Sequence, residues 1–205
     1  MKKGMCITYT VERGLYINVT NRCSNRCEFC IRNNGDGAYG SESLWLEREP
    51  TLEEIISDIA KRDLSQFDEV VFCGYGEPTE RLEVIREVAL WIRSKSDIQI
   101  RLNTNGHANL IWGRDVTPLF EGAFDVVSVS LNTPSAERYD EICHPVWGSV
   151  AHSALIEFAK NVNKYVQNVM FSVVRETLSD EELTLCQSIA DSVGVKLKIR
   201  SYIGP

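Results

Sequence analysis

The chain has 205 residues, of which 43% are hydrophobic and 25% are charged, with 13 glycines and 6 prolines. This balance is that of an ordinary globular protein, and it excludes a disordered or fibrous chain. The formal net charge is −7, from 29 acidic and 22 basic residues, which disfavours a broad nucleic-acid-binding face because phosphate backbones are held mainly by Lys and Arg.

No apolar run approaches the roughly 18 residues that a membrane-spanning helix needs. The residues after Met1, Lys2 and Lys3 also lack an apolar core of signal-peptide length. We therefore expect a cytoplasmic protein without a membrane partner, in a compartment where cysteines stay reduced.

Apolar strand-like runs alternate with amphipathic helices, which is the pattern of parallel β/α units. Six runs rich in Val, Ile and Phe are predicted as parallel strands buried on both faces: residues 16–20, 69–73, 98–102, 126–131, 169–174 and 196–201. A further run at residues 5–11 is followed by the short turn Glu12-Arg13-Gly14. This turn predicts an antiparallel hairpin with the first of the six strands, at the periphery of the sheet.

Start and stop signals mark the helices between these strands. Thr51 with Glu54 forms a capping-box pattern, and Ser179 with Glu182 repeats it. Gly194 is placed to end the helix that starts near Ser179. Each helix carries an apolar stripe at helical spacing, which we interpret as core packing, and Cys186 lies in such a stripe.

Six β/α units are too few for a closed eight-stranded barrel, which takes roughly 250 residues. The sequence therefore predicts one α/β domain over residues 1–205, an incomplete (β/α)6 TIM-like barrel with parallel strands and a peripheral N-terminal strand. Functional groups of such folds gather at the carboxyl ends of the strands. Candidate site residues are therefore expected there.

Three cysteines, Cys23, Cys27 and Cys30, follow the first of these strands with spacings of x3 and x2. Thiolates select zinc, cuprous copper or iron–sulfur clusters, and three of them can hold three irons of a four-iron cluster while the fourth iron stays open. Zinc is the weaker alternative, because a structural zinc site normally has four ligands and the sequence has no second C-x-x-C pair. The odd total of seven cysteines argues against a disulfide framework.

The next strand ends in Gly74, Gly76 and Glu77. Glycines allow a ligand to approach the backbone, and a carboxylate accepts hydrogen bonds from an ammonium group. A simple strand-to-helix turn is the alternative interpretation, since Gly and Pro are common there.

Polar residues also end the following strands, with Asn105 after the third, Ser130 and Asn132 at the fourth, and Arg175 after the fifth. Amides and hydroxyls suit ribose or amino-acid recognition, but they are equally common in caps and turns. Arg175 is a natural clamp for a carboxylate if it faces a cleft, and otherwise it is a solvated surface residue.

The three-cysteine run and the segment Gly74-Tyr75-Gly76-Glu77-Pro78 together resemble the radical S-adenosylmethionine enzymes, over essentially the whole chain. The resemblance implies a [4Fe–4S] cluster on the three cysteines. Tyr75 departs from the glycine that many members have, and the run RCSNRCEFCIRN looks closest to the TatD-linked members. The resemblance also implies that S-adenosylmethionine contacts Gly74, Gly76, Glu77, Ser130, Asn132 and Arg175. We expect Asn105, at the polar end of the third strand, to contact it as well.

In such an enzyme, the reduced cluster cleaves S-adenosylmethionine to a 5′-deoxyadenosyl radical, which takes hydrogen from a substrate. The resemblance therefore also implies oxygen sensitivity and a one-electron donor of the flavodoxin or ferredoxin kind. We expect a protein or peptide substrate, with a small metabolite as the alternative and a non-catalytic iron–sulfur or zinc protein as a third hypothesis. The glycine-rich residues 31–50 are either a lid or a mobile loop, and the other four cysteines show no second cluster spacing.

Overall fold

The computed structural model describes residues 2–202, so the remaining four residues of the predicted domain lie outside the described part. Seven strands form one sheet in the order β1 to β7. They are β1 Thr8–Val11, β2 Gly14–Ile17, β3 Glu69–Phe72, β4 Gln99–Thr104, β5 Val126–Ser130, β6 Asn168–Val174 and β7 Lys196–Arg200. β1 pairs with β2 as an antiparallel hairpin, and every later neighbour pair is parallel. Within residues 2–202, β1 does not pair with β7, so the sheet is open as predicted.

Six helices connect the strands: α1 Leu52–Ile59, α2 Leu82–Arg93, α3 Ala108–Trp112, α4 Ala136–Cys143, α5 Val150–Val162 and α6 Asp180–Val193. Both predicted capping boxes form, at the starts of α1 and α6. Gly194 ends α6 with φ of 72°, in the left-handed region that glycine adopts without strain. No helix in the described part of the chain is both long and apolar enough to cross a membrane.

The core lies between the outer face of the sheet and the helices. Strand residues such as Ile17, Phe72, Leu102 and Phe171 are fully buried there, and each such side chain contributes about 1.5–3 kcal/mol through the surface it removes from water. Cys186 is also buried, which confirms its assignment to the core.

Inner-face strand residues such as Ser128 and Ser172 are buried, as predicted, but the inner face of the sheet is polar. Side chains alternate along a strand, and the inward positions carry residues such as Tyr16, Arg101, Ser128 and Ser172. The open sheet leaves this face without a covering layer. It therefore lines a cleft instead of a second apolar core.

The glycine-rich segment of residues 31–50 packs against the strand ends. Leu44 and Leu46 are each only 1% exposed. The Asn18 side-chain amide donates to the Leu44 carbonyl over 2.8 Å. β2 ends just before this residue, at Ile17, which is earlier than the predicted end of the strand. The Trp45 ring meets the Tyr75 ring edge-on at 5.2 Å. This segment is therefore packed against the rest of the protein and is not a free loop.

Candidate active site

A cleft of about 570 Å³ lies on the inner face of the sheet. It is lined by all three cysteines of the loop after β2, and the carboxyl ends of β3, β4 and β5 form the wall beside them. The predicted residues in this lining are Cys23, Cys27, Cys30, Gly74, Gly76, Glu77, Asn105, Ser130 and Asn132. The tertiary structure thus brings together every predicted site residue except Arg175.

The cysteine loop is anchored to the end of α4. The Arg26 amide donates to the Cys143 carbonyl over 2.9 Å, and the Glu28 amide donates to the Ile142 carbonyl over 3.0 Å. The last carbonyls of a helix have no partner inside the helix, so the loop satisfies groups that would otherwise need water. This anchoring holds the backbone between the cysteines in one place.

The three cysteines are free thiols with raised pKa values. Burial raises the pKa of Cys23 to about 12 and also raises the pKa of Cys30. A hydrogen bond with Cys143 and burial raise the pKa of Cys27. Without a cation the thiols stay protonated near neutral pH, whereas binding to iron replaces these protons.

The donor set fits a four-iron cluster better than one ion. Among residues 2–202, no three His, Cys, Asp or Glu side chains converge on a single-ion position. Each thiolate of a cubane cluster binds a different iron, so the three sulfurs need only border a common space. Cys23, Cys27 and Cys30 do so, because all of them line the same cleft.

Glu77 is a buried carboxylate that ties the β3 and β4 ends together. Its Oε1 accepts hydrogen bonds from the hydroxyls of Thr79 and Thr104, each over 2.7 Å. Its Oε2 accepts a hydrogen bond from the backbone amide of Asn105 over 2.7 Å. Burial raises the pKa of Glu77, while these donors favour its ionised form. Both oxygens already serve protein donors, so Glu77 shapes the cleft wall, and its contact with a cofactor ammonium stays a prediction.

The two glycines after β3 make room for the protein's own chain. A Cβ at Gly76 would lie 2.3 Å from the Thr20 carbonyl oxygen and 2.6 Å from that of Arg22. A Cβ at Gly74 would lie 2.1 Å from Asn18 Oδ1. Close approach of a ligand to these glycines was expected from the sequence, but the space without side chains is needed where the segment entering the cysteine loop crosses the turn after β3.

Two predicted cofactor contacts, Asn105 and Asn132, also support the cysteine loop. Asn105 Nδ2 donates to Ser24 Oγ over 2.8 Å, next to Cys23. Asn132 Nδ2 donates to Cys143 Sγ over 3.3 Å, and its φ of 64° is one that asparagine tolerates better than most residues. Both side-chain amides therefore help to hold the cysteine loop and the end of α4 in position.

Arg175 is not brought to the cleft, so its prediction as a carboxylate clamp there is wrong. After β6 the chain turns at residues 175–177 toward α6. The Arg175 guanidinium donates to the Leu178 carbonyl over 2.9 Å and pairs with Asp180. Its side chain therefore stabilises the start of the following helix.

A buried histidine lies behind the cysteine loop, and no sequence motif had pointed to it. His107 precedes α3 and is fully buried, with Nδ1 3.3 Å from Ser24 Oγ and Nε2 3.4 Å from the Tyr139 hydroxyl. Tyr139 in turn accepts from Asn25 Nδ2 over 2.9 Å. Burial lowers the pKa of His107 to about 4, so the ring is neutral and links Ser24, which follows Cys23, to Tyr139 of α4.

The model of the radical SAM superfamily matches residues 17–187. The chain therefore belongs to the radical SAM superfamily, whose members are enzymes that use a [4Fe–4S] cluster and S-adenosylmethionine. These two groups are its cofactors, and the three free thiols facing one cleft fit the cluster.

Similar proteins differ in their reactions. The chain is 32% identical over 139 residues to a GTP 3′,8-cyclase of Corynebacterium glutamicum, covering 63% of this chain and 33% of the cyclase. It is 25% identical over 166 residues to the tungsten-containing aldehyde ferredoxin oxidoreductase cofactor-modifying protein of Pyrococcus furiosus, covering 78% and 43%.

The fold matches that of Streptococcus suis SuiB bound to the precursor peptide SuiA, with a TM-score of 0.63 and 15% identity, over 96% of this chain and 40% of SuiB. The chain thus spans less than half the length of each of these three proteins.

Proposed function

We propose that this protein cleaves S-adenosylmethionine reductively and uses the product radical to take hydrogen from a substrate, with Cys23, Cys27 and Cys30 as the cluster ligands. The observation that carries this proposal is that three free thiols and the polar ends of β3, β4 and β5 line one cleft. When bound, the reduced cluster supplies one electron that breaks S-adenosylmethionine into methionine and a 5′-deoxyadenosyl radical.

The protein's own residues orient this chemistry. The carboxyl end of α4 and the neutral His107 hold the loop between the thiols. Ser130 and Asn132 supply a hydroxyl and an amide on the wall formed by β5, where a ribose or carboxylate would bind. Gly74, Gly76, Glu77 and Asn105 shape the wall between these groups and the thiols.

We infer a protein or peptide substrate, because the sheet is open along one side and the fold is shared with a protein whose structure holds a peptide. A small metabolite is the second candidate, favoured by the similarity to GTP 3′,8-cyclases. Membership of the TatD-linked group, action as one domain, a cytoplasmic location and a flavodoxin- or ferredoxin-like donor are further parts of the proposal.

The test is anaerobic reconstitution with iron and sulfide, followed by reduction in the presence of S-adenosylmethionine and measurement of 5′-deoxyadenosine. We expect the wild-type protein to bind iron and form this product. Cys27→Ala should lose the cluster and the product, whereas Cys186→Ala, which changes a buried cysteine of α6, should keep both. A wild-type protein with a complete cluster and no product in any condition would contradict the proposal.

A second assay separates the substrate candidates. Reduced enzyme is incubated with the protein fraction or the small-molecule fraction of a cell extract. We expect the protein fraction to increase 5′-deoxyadenosine formation. An increase with the small-molecule fraction alone would favour the metabolite.

A further inference from the structure

The edge strand β7 carries a row of basic side chains on the inner face of the sheet. Lys196, Lys198 and Arg200 alternate with Leu197 and Ile199, so the three basic residues share one face. Lys198 and Arg200 line the cleft that holds the cysteines, and Lys196 and Lys198 line a neighbouring cavity of about 410 Å³. The row therefore runs along the inner wall on the open side of the sheet.

Two other arginines that line this cleft are paired with carboxylates, whereas the cations of β7 are not paired within the described residues. Arg101 pairs with Glu69, and Arg13 pairs with Asp68. Neither Lys198 nor Arg200 forms an ion pair with another described residue.

The Nε of Arg200 is buried and has no hydrogen-bond partner within the described residues. Buried donors are normally bonded, so the cleft wall here holds a guanidinium whose donors the described residues do not fully satisfy.

The surroundings of Arg200 suit an anion. Ser172 on β6, which is in register with Lys198 on β7, lines the cleft and offers a hydroxyl donor. The positive charge of Arg200 also acts on Tyr39 and Cys73 in the lining of the same cleft. Tyr39 is 47% exposed and has a φ of 54°, an uncommon conformation for a tyrosine.

We propose that Arg200 and Lys198 bind an anionic group of the substrate, a carboxylate or a phosphate. A guanidinium fork fits both groups with two parallel hydrogen bonds, and the lysine adds a second positive charge. The inference rests on the proposed function, because it assigns this wall of the cleft to the substrate and the wall formed by β3, β4 and β5 to the cofactor.

The test is calorimetric titration of the reconstituted protein with inorganic pyrophosphate and with malonate, in the presence of saturating S-adenosylmethionine. We expect at least one probe to bind, with affinity that falls as ionic strength rises. Preference for pyrophosphate identifies a phosphate site, and preference for malonate a carboxylate site. Failure of both probes to bind would overturn the proposal.

Variants of Arg200 and Lys198 show where the probe binds. Arg200→Gln should weaken the binding of the preferred probe about tenfold or more, and Lys198→Gln by a smaller factor. Arg200→Lys keeps the charge without the fork and should fall between the wild type and Arg200→Gln. Lys95→Gln, at an exposed position after α2, is the matched control and should bind like the wild type. Equal binding by the wild type and Arg200→Gln, with equal thermal melting, would overturn the assignment.

Three further outcomes distinguish a failure of the anion site from a failure of the proposed function. Loss of probe binding when S-adenosylmethionine is added would assign Arg200 to the cofactor carboxylate and overturn the substrate site. Formation of 5′-deoxyadenosine by the wild type without any probe binding would refute the anion site alone. Probe binding that depends on Arg200, in a cluster-loaded protein that never cleaves S-adenosylmethionine, would instead refute the proposed function.

Discussion

Glu77 is a buried carboxyl group at the junction of β3 and β4. Its replacement by alanine leaves the hydroxyls of Thr79 and Thr104 and the Asn105 backbone amide without their acceptor. We expect Glu77→Ala to lower the free energy of unfolding by about 3 kcal/mol, because several buried donors lose their acceptor at once. Urea denaturation of the apoprotein measures this change.

The same substitution should also change the binding of S-adenosylmethionine. Displacement of Asn105 alters the cleft wall, so reconstituted Glu77→Ala should retain iron and bind S-adenosylmethionine more weakly. Glu87→Ala, at an exposed position of α2, is the control and should shift stability by less than about 0.5 kcal/mol. Unchanged stability and unchanged cofactor affinity in Glu77→Ala would contradict its role in the wall.

The buried His107 should make the stability of the protein depend on pH. Burial lowers its pKa from 6.5 to about 4, so below pH 6.5 the unfolded chain binds a proton that the folded protein excludes. The unfolded state then holds more protons, and stability is lost as the pH falls from 6.5 toward 4. Between pH 7 and pH 5 this single group accounts for a loss of about 2 kcal/mol.

The measurement is urea denaturation of the wild type and His107→Gln at both pH values. The variant starts from a lower stability, because its contacts with Ser24 and Tyr139 change. Its loss between pH 7 and pH 5 should nevertheless be smaller by about 2 kcal/mol. Equal losses in the two proteins would show that His107 titrates normally in the fold.

At the scale of elements, β3 and the segment that enters the cysteine loop are packed backbone against backbone. Gly76→Ala would place a methyl group 2.3 Å from the Thr20 carbonyl oxygen, and no side chain can move aside to relieve it. We expect a loss of about 2–3 kcal/mol in unfolding free energy, together with poorer iron incorporation, because the loop is displaced. Denaturation and iron analysis of the reconstituted protein test both effects.

Gly35→Ala provides the comparison within the glycine-rich segment. The nearest atom to a Cβ at Gly35 is the Gly37 carbonyl oxygen at 3.9 Å, which is ordinary contact. This variant should keep its iron and change stability by less than about 0.5 kcal/mol. If the two alanine variants behave alike, the close approach at Gly76 is not the cause.

At the scale of the whole molecule, the cysteine loop and α4 form one unit across the top of the open sheet. The Arg26 amide bonds to the Cys143 carbonyl, and the Val146 amide bonds to the Ser24 carbonyl over 2.9 Å. Cluster binding should therefore slow amide hydrogen exchange in residues 23–30 and also in residues 142–146, which lie far along the chain. Exchange in α6 should change less. Protection confined to residues 23–30 would show that the two segments open independently.

Much of the architecture follows from local sequence signals. Alternating apolar runs indicate the parallel strands, and the pairs Thr51 with Glu54 and Ser179 with Glu182 predict two helix starts that the structure confirms. These features depend on neighbours within a few residues, so the printed sequence contains their causes. The spacing of the three cysteines is equally local, and the family match supports its interpretation.

The direction in which single side chains point is a tertiary property. Arg175 and Arg200 both lie near the ends of strands, yet one bonds to the start of α6 and the other lines the cleft. His107 is buried because the cysteine loop, Tyr139 of α4 and Trp147 pack around it.

The sequence by itself determined the order of strands and helices, the helix caps and the cysteine spacing, because each depends on residues close in the chain. Only the tertiary structure decided which polar residues share the cleft and which glycines face the protein's own backbone. The reason is that these contacts join residues such as Gly76 and Thr20, or Asn105 and Ser24, whose separation in sequence leaves no periodic pattern to detect.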